Sequence, residues 1–110
     1  MSEVSKINAI QPMGFEYLDP NGRIRAISLE EISEVVILTT ADGPFTEDCF
    51  WVVTTGDSRV ITSNNDPLCE ELAELLGTLP GFDFDAMIDS MSSVTEEVFV
   101  CFRRFGPLMP

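Results

Sequence analysis

Apolar and polar positions follow period two in the first half of the chain and a helical period in the second, with one last period-two run at the end. Phe15-Glu16-Tyr17-Leu18 and Arg23-Ile24-Arg25-Ala26-Ile27 alternate on either side of Asp19-Pro20-Asn21-Gly22. In that turn Pro presets φ and Gly is free to take a positive φ, so the pair predicts a β-hairpin with one wet face. Ile24 and Ala26 share one side of its second strand; Arg23, Arg25 and Ile27 share the other. Leu29 to Glu34 fits either a short helical turn or the lead into a strand. Val35 to Thr40 is β-branched and predicts a strand. Ala41-Asp42-Gly43-Pro44 breaks it, and Thr46-Glu47-Asp48 extends an acidic loop. Phe50 to Thr55 and Arg59 to Thr62, joined by Gly56-Asp57-Ser58, predict a second hairpin.

The helical period begins after Asp66, a capping residue, with Pro67 suited to the first helical position. Leu68, Leu72, Leu75, Leu76 and Leu79 fall on one stripe, opposite Glu70, Glu71 and Glu74. Gly77 and Leu79-Pro80-Gly81 end this helix. Asp83 caps a shorter second helix whose apolar face is Phe84, Met87, Ile88 and Met91, with Asp85 and Asp89 facing out and Ser92-Ser93 ending it. Glu96 to Phe105 returns as a strand. Its first half is apolar on both faces, which predicts a central or doubly covered position. The fold class expected is α+β: an antiparallel sheet of about five or six strands, with two consecutive helices on one face before a final strand. Residues 14–105 form the single domain. Residues 1–13 read as a loose N-terminal segment and 106–110 as a loose C-terminal tail.

Composition narrows the function. The chain has 110 residues, 45% of them hydrophobic, which suits one domain with its own core. No apolar run approaches the ~20 residues of a membrane-spanning helix. The N-terminal residues lack a signal-peptide pattern, so a cytoplasmic location and no membrane partner are expected. Nineteen acids stand against six bases, for a net charge of −13. Such a field repels nucleic acid and attracts basic proteins; it also favours solubility in its own right.

Catalytic chemistry has little to work with. Histidine is absent, which removes the usual acid–base group and every Ser-His or Cys-His nucleophile. Lys6 is the only lysine, and no phosphate loop is present. Cys49, Cys69 and Cys101 are widely spaced and match no zinc pattern; Cys69 and Cys101 sit inside apolar patterns and read as small core hydrophobes. No enzyme activity, cofactor or metal is therefore expected. Asp83-Phe84-Asp85 and Asp42 to Asp48 offer hard oxygen ligands but do not match the twelve-residue calcium loop. A carboxylate-ligated metal site stays an alternative on that ground. A nucleic-acid mimic is a further alternative on charge count. Duplex DNA as long as the roughly 33 Å diameter of such a domain carries ~20 charges, but the acids here spread from Glu3 to Glu97.

Part of the chain, Phe50 to Arg104, resembles a set of small acidic bacterial proteins to which no function is attached. The residues that carry this are the Phe50-Trp51-Val52-Val53 strand, the acidic Leu-rich helix and Leu79-Pro80-Gly81-Phe82-Asp83. A helix ending Met91-Ser92-Ser93 and the run Phe99-Val100-Cys101-Phe102-Arg103-Arg104 complete it. The resemblance implies a shared fold and transfers no catalytic residue. The function expected is a non-catalytic module that binds a basic protein, by analogy of size and charge an immunity- or antitoxin-type partner. The candidate contact residues are Asp42, Glu47 and Asp48, beside Trp51 as an aromatic anchor if its face of the strand is exposed rather than core. The second expectation is a homodimer built on an open sheet edge or on the Trp51 strand.

Overall fold

The computed structural model describes residues 4–40, 49–93 and 95–104. Among them are seven strands and two α-helices: β1 (Val4–Gln11), β2 (Gly14–Leu18), β3 (Ile24–Ser28), β4 (Ile32–Thr39), β5 (Cys49–Thr55), β6 (Arg59–Ser63), α1 (Cys69–Leu76), α2 (Phe84–Ser92) and β7 (Glu97–Arg103). The strands form one sheet in the order β3-β2-β1-β6-β5-β4-β7. The fold is α+β, but its sheet is mixed and has seven strands, where an antiparallel sheet of five or six was expected.

The difference arises in β1, inside the segment 1–13 that the sequence suggested was loose. β1 pairs antiparallel with β2 and parallel with β6, through Val4↔Ile61 and Ser5↔Thr62. It thereby joins two antiparallel blocks into one sheet. Its inward positions include Ser5, a buried polar residue, beside Ile7, so the alternation does not read as hydrophobic against polar. A bulge between Ile7 and Ala9 then shifts the register, and the period of two breaks in mid-strand. Past the end of the parallel ladder, the amide of Ile7 finds a new acceptor. It donates to Asp66 Oδ2 at 2.9 Å, while Leu68 N donates to Asp66 Oδ1 at 2.9 Å. One carboxylate thus caps the approach to α1 and holds β1 against it. Residues 105–110 lie outside the described residues, and with them the expected C-terminal tail.

Both predicted hairpins are present, as β2–β3 and β5–β6. In the first turn Gly22 has φ 86°, and Asp19 Oδ1 accepts the backbone N–H groups of Asn21 and Arg23, each at 2.9 Å. The Arg23 amide is the main reason the Asp19 carboxyl sits below the usual carboxylate range; burial acts against it, and Asn21 and Arg25 add to it. The ambiguous stretch before β4 is a 3-10 turn at Leu29–Glu31, with Ser28 N donating to Glu31 Oε2 at 2.9 Å.

The core lies on one side of the sheet. Val35 and Ile37 of β4, Trp51 and Val53 of β5 and Val60 of β6 point into it. Leu72, Leu75 and Leu76 of α1 belong to the same cluster, and Ala86 and Met87 of α2 pack against it. Two expectations fail at the C-terminal end. β7 is an edge strand rather than a central one, with Val98 65% and Val100 37% exposed. In α2, only Met87 of the predicted apolar face packs on the core; Phe84, Ile88 and Met91 are 50%, 60% and 53% exposed. Ser90 is buried in their place, its hydroxyl satisfied by Met87 O at 2.6 Å. A serine that bonds back to its own helix brings no orphaned polar group into the core, so the helix can roll onto its smaller side chains.

Candidate partner-binding surfaces

Trp51 is fully buried. Its side chain points inward with Val53, and its Nε1–H donates to Asn64 Oδ1 at 3.2 Å. The same oxygen accepts a weaker contact from Cys69 Sγ at 3.7 Å. Of the two readings open to the Phe50–Val53 strand, the core one is realised, and Trp51 is not a surface anchor. Asp42, Glu47 and Asp48 lie outside the described residues.

The structure exposes two other surfaces. The first is the flank of α2 that carries Phe84, Ile88 and Met91 at i, i+4 and i+7. The Phe84 ring leans on Phe82, with centroids 5.0 Å apart, and on the bare Cα of Gly77, so its position is set although half of it meets water. The same stretch of chain carries Asp83, Asp85, Asp89, Glu96 and Glu97, and from Asp83 to Phe102 there is no basic residue. The helix is fastened at both ends. Asp83 Oδ1 accepts Ala86 N at 3.0 Å, and Asp83 N donates to Cys101 O at 2.6 Å. At the other end Glu97 Oε1 accepts from Thr95 Oγ1 at 2.8 Å and Ser93 Oγ at 2.9 Å. Those two bonds, that from Thr95 first, hold the Glu97 carboxyl below the usual carboxylate range, so it keeps its charge as pH falls. Thr39 Oγ1, on β4, donates to Thr95 O at 2.7 Å and accepts Glu97 N at 3.1 Å. Thr95 and Glu97 are therefore tied to β4.

The second surface is the sheet face opposite the core. Val36 and Val52 are only 9% and 3% exposed, yet neither belongs to the core cluster. With Leu38, Val98 and Val100 they line a shallow groove of about 530 Å³. Glu34, Arg59 and Arg103 also line it, and Arg103 Nη2 pairs with Glu34 Oε2 at 2.7 Å. Sequence reading did not single out this surface; it took the doubly apolar run of β7 as a sign of a central or doubly covered strand, whereas Val98 and Val100 are exposed on an edge strand.

Among the described residues, no group of three or more Cys, Asp or Glu side chains could hold a metal ion. All three thiols are buried. Burial pushes the Cys69 thiol up to about 11, with Asp66 and Cys49 adding to the effect. The Cys101 thiol is likewise pushed up to about 11 by burial, then by Asp83 and Cys49. Neither forms the thiolate a nucleophile requires at neutral pH. The sign of the linkage follows. A thiol whose folded value lies above its ordinary 9.0 contributes stability below pH 9 that is lost as pH rises towards 11. Thermal melts between pH 8 and 11 should show a steady fall above pH 9. The fall should be shallower in a Cys69→Ala/Cys101→Ala variant; an equally steep fall would move its cause elsewhere.

No helix among the described residues is long and apolar enough to cross a membrane. Neither family models, nor curated proteins, nor solved structures match this chain.

Proposed function

We propose that this chain is a non-catalytic protein-binding module, and that it docks a basic, amphipathic segment of a partner protein on the exposed flank of α2. The observation that carries this reading is the stripe of Phe84, Ile88 and Met91, held in place within a stretch of five acids and no base. Single exposed apolar residues are ordinary on protein surfaces, whereas three on one helical stripe make a patch. As part of the same reading, both helices cover the core side of the sheet. Leu72, Leu75 and Leu76 of α1, with Ala86 and Met87 of α2, support that placement.

Magnitudes indicate how such a surface works. Burying a large apolar side chain fully is worth about 1.5–3 kcal/mol. These three are already half covered, so completing their burial yields roughly 3–4 kcal/mol in all. Association costs at least ~4 kcal/mol in lost freedom. The stripe alone therefore does not hold a partner, and charge must supply the remainder. Electrostatic attraction to the acids of that stretch also speeds encounter and weakens with salt.

A synthetic peptide with Lys and Leu at helical spacing is a suitable probe, with binding followed by fluorescence anisotropy. Its affinity should fall by about tenfold between 50 and 300 mM salt. Ile88→Asp should weaken binding by about fivefold or more, although it adds a negative charge. Attraction by charge alone would make that variant bind as tightly as the parent or more so, and such a result would remove the stripe from the account.

A further inference from the structure

We propose that the cavity between the β2–β3 turn and the start of β6 binds a phosphoryl group, as inorganic phosphate or as a small phosphomonoester. It lies among β1, β2, β3 and β6, whereas α2 packs on β7 and β4. The inference therefore stands independently of the partner reading above.

Strand order assembles the cavity. β1 runs parallel to β6 and antiparallel to β2. The starts of β1 and β6 therefore lie at the same end of the sheet as the turn that joins β2 to β3. Residues far apart in the chain meet there, and Ser5, Tyr17, Arg25 and Arg59 line one cavity of about 260 Å³. Ordinary small-molecule pockets occupy roughly 300–1,000 Å³, so the space suits a small group and not a nucleotide.

The polar side chains here lack partners. Tyr17 and Ser5 are each 5% exposed, yet neither hydroxyl has a hydrogen-bond partner among the described residues. The unpartnered hydroxyls that are fully sealed are those of Thr40 and Thr62. Those of Tyr17 and Ser5 are thus reached from the cavity they line. A buried tyrosine hydroxyl ordinarily finds a partner, and here the cavity has to supply it.

Two guanidinium groups name the charge of the occupant. Arg25 is the cross-strand neighbour of Tyr17. Its Nε donates to Asp19 Oδ2 at 3.2 Å, which fixes the group and leaves both terminal nitrogens without a partner among the described residues. Asp19 also lines the cavity, but its other oxygen is taken by the amides of Asn21 and Arg23. Arg59 opens β6 and forms no ion pair among the described residues. Two bases therefore face one engaged acid, in a chain whose net charge is −13. The planar fork of arginine matches the oxygens of a phosphoryl group, and hydroxyls at its side add donors. The overall field repels anions, so an anion stays only where direct contacts hold it. A dianion gains from both arginines, and a monocarboxylate gains less.

Titration of the full chain at about pH 7.5, followed by amide NMR shifts, tests this. At that pH a phosphomonoester is mainly dianionic, its second ionisation lying near ~6. The probes are inorganic phosphate and O-phosphoserine, with acetate as the monoanionic control. Saturable shifts at Tyr17, Arg25 and Arg59 are expected, with a Kd of about 1 mM or tighter. Arg59→Gln should weaken binding by about tenfold or more, and Tyr17→Phe, which keeps the ring in the core, by about threefold. Affinity for inorganic phosphate equal to or above that for O-phosphoserine makes the free ion the ligand; the reverse makes it a monoester. Absence of saturable shifts with either probe up to about 20 mM overturns the proposal. Undiminished affinity in Arg59→Gln does so too, as does acetate binding as tightly as phosphate. Peptide binding at α2 should survive Arg59→Gln, which separates failure of this inference from failure of the partner reading.

Discussion

Trp51→Ala is expected to destabilise the fold by about 3–5 kcal/mol, a large part of the 5–15 kcal/mol typical of a native domain. Trp51 is the largest of the fully buried side chains. Its neighbours across the sheet are Ile37 on β4 and Thr62 on β6, strands that cannot close over the gap without breaking their ladders. The vacated space therefore stays open, and the cavity adds to the lost transfer energy. Trp51→Phe separates the ring from its N–H. It retains most of the volume but removes the donor to Asn64 Oδ1, and should cost about 1–2 kcal/mol. Urea unfolding followed by far-ultraviolet circular dichroism measures both. If Trp51→Ala costs less than about 1 kcal/mol, the indole is not the centre of the core described here.

Gly14→Ala is expected to cost about 3 kcal/mol by overpacking, although it adds only one methyl group. Gly14 sits in β2 between Gln11 of β1 and Ser28 of β3. A Cβ there would strike the carbonyl oxygen of Ile27 and stand 3.0 Å from Ser28 Cα. Both are backbone atoms, so no rotamer change relieves the clash, and β3 itself has to move. Gly56→Ala is the matched control. Nothing lies within 4 Å of a Cβ at that position, and the change should stay within about 0.5 kcal/mol. Comparable costs for the two variants would show that the approach of β3 does not govern the effect, because the lost flexibility of the unfolded chain acts in the stabilising direction at both positions.

The contrast between these glycines also marks what the sequence could convey. Gly22, Asp19 and Pro20 act within four residues of one another, and the turn they form is legible from those residues alone. The same holds for Asp83, which caps its own helix, and for Leu72, Leu75 and Leu76, whose spacing marks the buried face of α1. The features that escaped notice depend on distant partners. Nothing near Ser5 indicates that it faces Thr62, and nothing near Gly14 indicates that Ile27 presses on it. The parallel pairing of β1 with β6 is of this kind, because it joins residues 57 positions apart. In α2 the local pattern pointed the wrong way. Phe84, Ile88 and Met91 form the more apolar stripe, yet tertiary packing selects Ala86, Met87 and Ser90.

The candidate site was legible only as chemistry. The acidic excess and the lack of histidine are visible in any reading of the chain. The place where acid and exposed apolar surface coincide is not, because it depends on which way α2 rolls. Trp51 shows the same limit. Alternation along Phe50–Val53 leaves two faces equally open, and Asn64, thirteen residues away, supplies the acceptor that suits the inward one.

The placement of β7 beside β4 has a consequence for how the chain is made. Residues 34–39 wait for 97–103 to complete that side of the sheet, and synthesis delivers 97–103 after every other strand. Between the end of β6 at Ser63 and the start of β7 at Glu97, a ribosome adding 5–20 residues per second needs roughly 2–7 s. Throughout that interval β4 has a bare edge, with Val36 and Leu38 beside it. The nascent chain is then most open to pairing with a neighbour on the same message, and the rate of elongation through α1 and α2 determines how long that opening lasts.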